Sequence, residues 1–294
     1  MNRQPKVEHH DVNTNGIRLH VAQAGPEEGP LVILLHGFPG FWYGWQYQIP
    51  YLAGLGFRVW VPDQRGYNLS EKPSGVAAYN LDALAADVVG LVDAAGRDTA
   101  HLVGHDWGAS VAWRVAARYP ERVERLVILN MPHPAVIRAN VRRNPAQFLR
   151  SLYVLFFQIP WLPETLLRLG NWAPVVQALK RSSRPNTFSE RDLARYRQAW
   201  SQPGAFTSMI DWYRAAVRRP PQAPIAQRIT VPTLIIWGVH DPALLPEMAE
   251  QSLEYVDDGQ LVFLEEATHW VKTEEPEHVN ELIGNFLQGS RQQH

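Results

Sequence analysis

The stretch His101-Leu102-Val103-Gly104-His105-Asp106-Trp107-Gly108-Ala109-Ser110-Val111-Ala112 decides the fold. His101 to Val103 is a short apolar run suited to a buried strand, and Ala109 to Ala117 carries small and apolar residues at helical spacing. Between them Gly104 and Gly108 bracket His105-Asp106-Trp107, the small-x-nucleophile-x-small layout of a strained strand-to-helix turn that projects one side chain above a sheet. Here that side chain is an aspartate. A carboxylate with an ordinary pKa of about 3.9 is ionised at neutral pH, so it attacks carbon without a base to activate it, and a partner histidine is left to activate water. Read alone, the same aspartate also suits the N-cap of the helix.

Working outward, short β-type runs alternate with helical stretches. Ile17 to Gln23, Leu31 to Leu35, Phe57 to Val61, His101 to Val103, Leu126 to Leu129, Thr233 to Trp237 and Leu261 to Leu264 read as strands, with helices over Tyr79 to Ala95 and Ala109 to Arg118. This is the alternation of an α/β domain with a mostly parallel, doubly covered sheet. It stops between about Pro132 and Gln227, where the pattern predicts helices only: Pro145 to Phe157, Glu164 to Leu169, Ala173 to Arg181, Glu190 to Trp200 and Phe206 to Arg218. An all-helical insertion between two strands reads as a cap over the strands' carboxyl ends, where open α/β sheets bind ligands. The expected division is a core of residues 1–131 and 228–294 with a cap of residues 132–227.

Four further motifs surround the turn. His36-Gly37-Phe38-Pro39 follows a strand and offers the Phe38 amide as one half of an oxyanion hole, the Trp107 amide being the other; His36 reads as a loop histidine that holds backbone. Asp63 and Arg65, in Pro62-Asp63-Gln64-Arg65-Gly66-Tyr67, read as a structural ion pair or turn network. Asp241 ends an Ile-rich strand, placed either to fix a histidine's tautomer or to form an Asx-Pro turn with Pro242. His269 lies in a loop before the last helix, which starts near Pro276, and is the candidate general base. The two histidines spaced i, i+4, His101 and His105, lie on a strand-type run and its turn rather than on one helix face as a zinc site requires, so neither metal nor cofactor is expected.

Composition limits the classes. With 294 residues, 46% hydrophobic and 19% charged, the chain is an ordinary globular protein. Its net charge of −1 gives no electrostatic reason to expect nucleic acid or a membrane as partner. With 0 cysteines, disulfides and thiolate chemistry are excluded, which is compatible with the expected cytoplasmic location. No targeting segment is visible in residues 1–30, and no apolar run approaches the roughly 18 residues of a membrane span. Monomer and homodimer both remain open.

Asp106, Asp241 and His269, in that chain order, with His36-Gly37-Phe38-Pro39 and an inserted helical cap, resemble the α/β-hydrolase fold. The aspartate at the turn resembles its branch of epoxide hydrolases and dehalogenases. Leu152-Tyr153-Val154-Leu155-Phe156-Phe157-Gln158 and Asp211-Trp212-Tyr213-Arg214 resemble the two epoxide hydrolase cap segments that carry ring-opening tyrosines. The resemblance implies that Asp106 attacks an epoxide, Tyr153 and Tyr213 protonate the ring oxygen, and His269 with Asp241 hydrolyses the ester to a vicinal diol. Without the resemblance both tyrosines read as cap packing. A haloalkane or haloacid dehalogenase using the same aspartate is the alternative, against which Tyr153 and Phe38 count. Phe156, Phe157, Ile159 and Trp161 suggest an apolar, aromatic-rich pocket for a small epoxide. His269 has to be neutral to act, so activity is expected to fall on the acid side.

Overall fold

The computed structural model describes residues 6–221 and 228–289. Eight strands form one sheet in the order β1-β2-β4-β3-β5-β6-β7-β8: β1 (Glu8–Thr14), β2 (Ile17–Ala24), β3 (Leu31–Leu35), β4 (Arg58–Pro62), β5 (Ala100–His105), β6 (Val123–Leu129), β7 (Thr233–Gly238) and β8 (Gly259–Leu264). The first two strands join antiparallel, and every pair from β4 to β8 is parallel. Alternate residues feed opposite layers, as the two-residue period of a strand requires. Ile33, Leu35, Leu126, Ile128, Ile235 and Trp237 enter one core, and their neighbours Val32, Leu34, Val127, Leu129, Leu234 and Ile236 enter the other. With both faces buried, these strands read as unbroken apolar runs.

Helices α1 (Gln48–Gly54), α2 (Leu81–Ala94) and α3 (Trp107–Arg118) follow the early strands. The cap runs between β6 and β7 as α4 (Pro134–Arg143), α5 (Pro145–Arg150), α6 (Leu152–Phe157), α7 (Leu162–Ser182), α8 (Glu190–Trp200) and α9 (Ala205–Arg218). The chain returns to the core for α10 (Glu247–Leu253), α11 (Val271–Glu274) and α12 (Pro276–Leu287). Residues 222–227, the end of the expected cap segment, lie outside the described residues.

Several element boundaries differ from expectation for local reasons. Strand β1 is almost entirely exposed and carries no alternating apolar pattern, so its pairing with β2 leaves no hydropathy signal. The helix expected over Pro145 to Phe157 breaks at Ser151, whose amide is held by the carbonyls of Gln147 and Phe148. The expected helices Glu164 to Leu169 and Ala173 to Arg181 are two arms of α7, bent where Gly170, Asn171 and Trp172 take left-handed backbone. The helix expected from Tyr79 starts at Leu81, because the Asn80 side chain accepts from the Ala83 amide and caps it there. Two indoles tie the cap to loops of the core: Trp200 donates to the Pro39 carbonyl (2.7 Å) and Trp212 to the Arg65 carbonyl (3.0 Å).

Candidate active site

Because β3, β5, β6, β7 and β8 are parallel, their carboxyl ends share one edge of the sheet, and the loops leaving that edge carry Phe38, Asp106, Asn130, Asp241 and His269. Asp106 has φ +53°, ψ −126°, a region a residue with a Cβ occupies only when its surroundings force it. The surroundings are two glycines. A Cβ on Gly108 would lie 2.1 Å from the Leu35 carbonyl oxygen, and one on Gly37 would lie 2.2 Å from Asp106 Oδ1.

The helix-cap reading of Asp106 does not hold: its side chain makes no capping bond to α3. Its Oδ1 accepts from the Phe38 amide at 2.7 Å, and its Oδ2 faces His269 Nε2 at 3.6 Å. The other side of the imidazole is fixed, with Nδ1 2.7 Å from Asp241 Oδ2. The two readings of Asp241 coexist, because its Oδ1 accepts from the Ala243 and Leu244 amides while Oδ2 meets the histidine. The Trp107 amide does not reach the Asp106 carboxylate in this geometry.

Burial by itself would lower the pKa of His269, but the charge of Asp241, the hydrogen bond to Asp106 and the remaining attraction of both carboxylates outweigh it and push the pKa up to about 10. The resting site therefore holds an imidazolium between two carboxylates. This changes the expected origin of an acid limb: the imidazolium becomes acidic enough to lose its proton at neutral pH once a neighbouring carboxylate has lost its charge.

Above this triad the cap supplies phenols. Tyr213, buried on α9, packs edge-on against Phe38 (5.3 Å between centroids), Trp107 (5.0 Å) and Phe157 (4.9 Å). Tyr153 on α6 lies 5.8 Å from the Tyr213 ring. The residue is 42% exposed, yet burial of its hydroxyl, followed by the charges of Asp106 and Asp241, pushes its pKa up. Burial, the neighbouring Tyr153 and Asp106 do the same to Tyr213. Both phenols hold their protons at neutral pH and remain donors. Arg214, next to Tyr213, binds Glu164, Asp211 and the carbonyls of Phe157 and Ile159, fastening α9 to the end of α6.

Of the expected pocket residues, Phe157 meets Phe38 and Tyr213, and Phe156 stands behind it at 5.9 Å. The expectation for Ile159 and Trp161 is corrected. The chain crosses the cap rim there, leaving Ile159 exposed and Trp161 71% exposed, in a groove with Pro160, Glu164 and Arg218 on the outside of the cap. Asp63 and Arg65 do not pair with each other: Asp63 accepts from Asn68 and the Trp42 amide and meets His20, while Arg65 binds Asp87. His36, its pKa pushed down to about 4 by burial, accepts the Gln64 amide and holds the loop beside Phe38. His240 is exposed.

Three positioning residues escaped the sequence reading. Asn130 donates to Asp241 Oδ2 (2.8 Å) and accepts the Gly238 amide; its place at the carboxyl end of β6 was the available signal. His105, kept neutral by burial, bonds the His269 carbonyl at 2.7 Å. Glu274 receives the Thr268 amide and hydroxyl, each at 2.7 Å, and so anchors the loop that carries His269. Among the described residues, no group of three or more His, Cys, Asp or Glu is arranged to hold a metal, and no helix is long and apolar enough to cross a membrane.

The family model described as the alpha/beta hydrolase fold matches residues 30–276. The chain is 46% identical to an AB hydrolase superfamily protein of Bacillus subtilis, over 94% of this chain and 96% of that one. It is 38% identical to human epoxide hydrolase 4, over 94% of this chain and 77% of that one. The crystal structure of Bacillus megaterium epoxide hydrolase with an inhibitor superposes with a TM-score of 0.86 at 33% identity, covering 95% of this chain and 100% of that one.

Proposed function

The chain belongs to the epoxide hydrolases of the α/β-hydrolase fold, and from that premise we propose that it converts apolar epoxides to vicinal diols through a hydroxyalkyl ester on Asp106. The observation that carries the reading is the division of labour between the two oxygens of one carboxylate. Oδ1 is held by the Phe38 amide and Oδ2 is directed toward His269 and the open side of the turn.

In the first step Oδ2 attacks an epoxide carbon from behind. The carbon–oxygen bond breaks toward the ring oxygen, and Tyr153 and Tyr213 bind that oxygen and supply its proton. Asp106 becomes a neutral ester whose carbonyl oxygen sits where Oδ1 was, beside the Phe38 amide. Loss of the Asp106 charge removes part of what holds the proton on His269, so the imidazolium gives that proton up to reprotonate the tyrosinate left by ring opening and, now neutral, acts as base. In the second step His269 Nε2 takes a proton from water, and the hydroxide attacks the ester carbonyl carbon. The oxyanion gathers the amides of Phe38 and Trp107, a contribution of about 10²–10³ in rate per donor in comparable sites. Collapse passes the proton of the added hydroxyl to the leaving alkoxide and so releases the diol and the carboxylate, while the proton that His269 took from water restores the resting imidazolium.

The test is a panel of an aryl epoxide, a haloalkane, fluoroacetate and an aryl ester. Diol formation from the epoxide with no halide release supports the reading; halide release without diol overturns it.

A further inference from the structure

We propose that the outer face of the cap, formed by α5 and α6 with the end of α4, docks on an anionic lipid surface. Charge is segregated along the chain. Residues 132–227 carry 14 Lys and Arg against 4 Asp and Glu, a net of +10, which leaves −11 for the rest of a chain whose total is −1. The chain-wide value averages this separation away.

The apolar surface is segregated in the same way. Ten of the 13 large hydrophobic side chains exposed among the described residues lie in the cap, the same segment that carries the excess of basic residues. Phe148, Leu149, Leu152 and Leu155 project from α5 and α6, Leu149 at 64% and Leu155 at 57% exposure. Exposed Arg142 and Arg143 flank them at the end of α4, and Arg150, also exposed, ends α5 with its guanidinium donating to the Asp241 carbonyl at 2.8 Å. On their inner sides α5 packs on α4 and α6 on α9.

Arginines beside leucine and phenylalanine on short helices form the composition that seats at the headgroup boundary of an anionic bilayer, the side chains entering the acyl margin while the guanidinium groups meet lipid phosphates. A symmetric contact between two caps would set +10 against +10, and a nucleic acid would leave the leucines facing water. Tyr153, 42% exposed, sits on α6 of the same surface, so docking would bring the rim of the site to the layer in which apolar epoxides concentrate. That last point rests on the proposed function; the docking itself does not.

The experiment is co-sedimentation of the full chain with vesicles of phosphatidylcholine alone and of phosphatidylcholine mixed with phosphatidylglycerol, at low and high salt. Binding is expected to the mixed vesicles and to weaken on the order of tenfold or more at high salt. The pair Arg142→Glu and Arg143→Glu, and separately the pair Phe148→Ser and Leu149→Ser, should each weaken it on the order of tenfold. Melting temperature and turnover of a water-soluble epoxide should stay unchanged in both. No binding to the mixed vesicles at low salt, equal binding to both compositions, or self-association that the same substitutions abolish would overturn the proposal. Vesicle binding is read independently of turnover, so its failure is separable from failure of the proposed reaction.

Discussion

Asp106 Oδ1 lies 2.7 Å from the amide nitrogen of Phe38, so the resting carboxylate already occupies the place that an ester carbonyl needs in the second chemical step. The strained backbone at Asp106 and the absence of a side chain at Gly37 are both required for that approach. The site is thus organised for two reactions in series, with one oxygen held and the other free to bond.

Replacing Tyr153 by Phe removes only a hydroxyl from a residue that is 42% exposed, so the fold should be retained. Ring opening should slow by about 10²–10⁴, the usual range for one positioned proton donor. Single-turnover alkylation measured by rapid quench checks this, and an unchanged rate would remove Tyr153 from the chemistry. Tyr213→Phe should slow the same step while its ring stays packed among Phe38, Trp107 and Phe157.

The pKa of His269 is pushed up to about 10, so its protonated form is favoured by folding. Its contribution to stability is full below the unfolded value of about 6.5 and is lost as pH rises through about 10. The stability difference between the wild type and His269→Gln should therefore shrink from pH 6 to pH 10 in denaturant titrations. Asp106→Asn, which mimics the neutral ester, should bring the histidine pKa down, as read by NMR of the ring protons. An unshifted titration would contradict the proposal that alkylation turns the imidazolium into a base.

Arg214→Met should loosen the cap. It leaves Glu164 and Asp211 buried without their cation, a loss of about 3–5 kcal/mol for comparable buried pairs. Because Arg214 also holds the carbonyls of Phe157 and Ile159, ring opening should fall while the bond between His269 and Asp241 is kept. Thermal unfolding together with burst kinetics separates the two effects.

The sheet and the turn were legible because their signals are local: apolar runs such as Leu31 to Leu35, and glycines spaced where a Cβ cannot fit. Edge strand β1 left no trace, since only Val12 and Thr14 of its side chains turn away from water. The positioning residues were hidden for a different reason. Asn130, His105 and Glu274 act across sequence separations or through backbone groups, and no spacing rule marks a side chain whose partner is a distant carbonyl. Trp161 and Ile159 show the converse, because apolar composition alone does not say whether a residue in the connection between two helices turns toward the core or toward water. The bend in α7 was half visible, in Gly170 and Pro174.

The central claim is that an oxygen of Asp106 enters the product, and it is tested by a single turnover with enzyme in excess in water enriched in oxygen-18. The diol of that first turnover should be unlabelled, with the heavy oxygen found by mass spectrometry on the peptide containing Asp106. Heavy oxygen in the first-turnover diol, with none on that peptide, would mean that water attacks the epoxide directly and would contradict the mechanism.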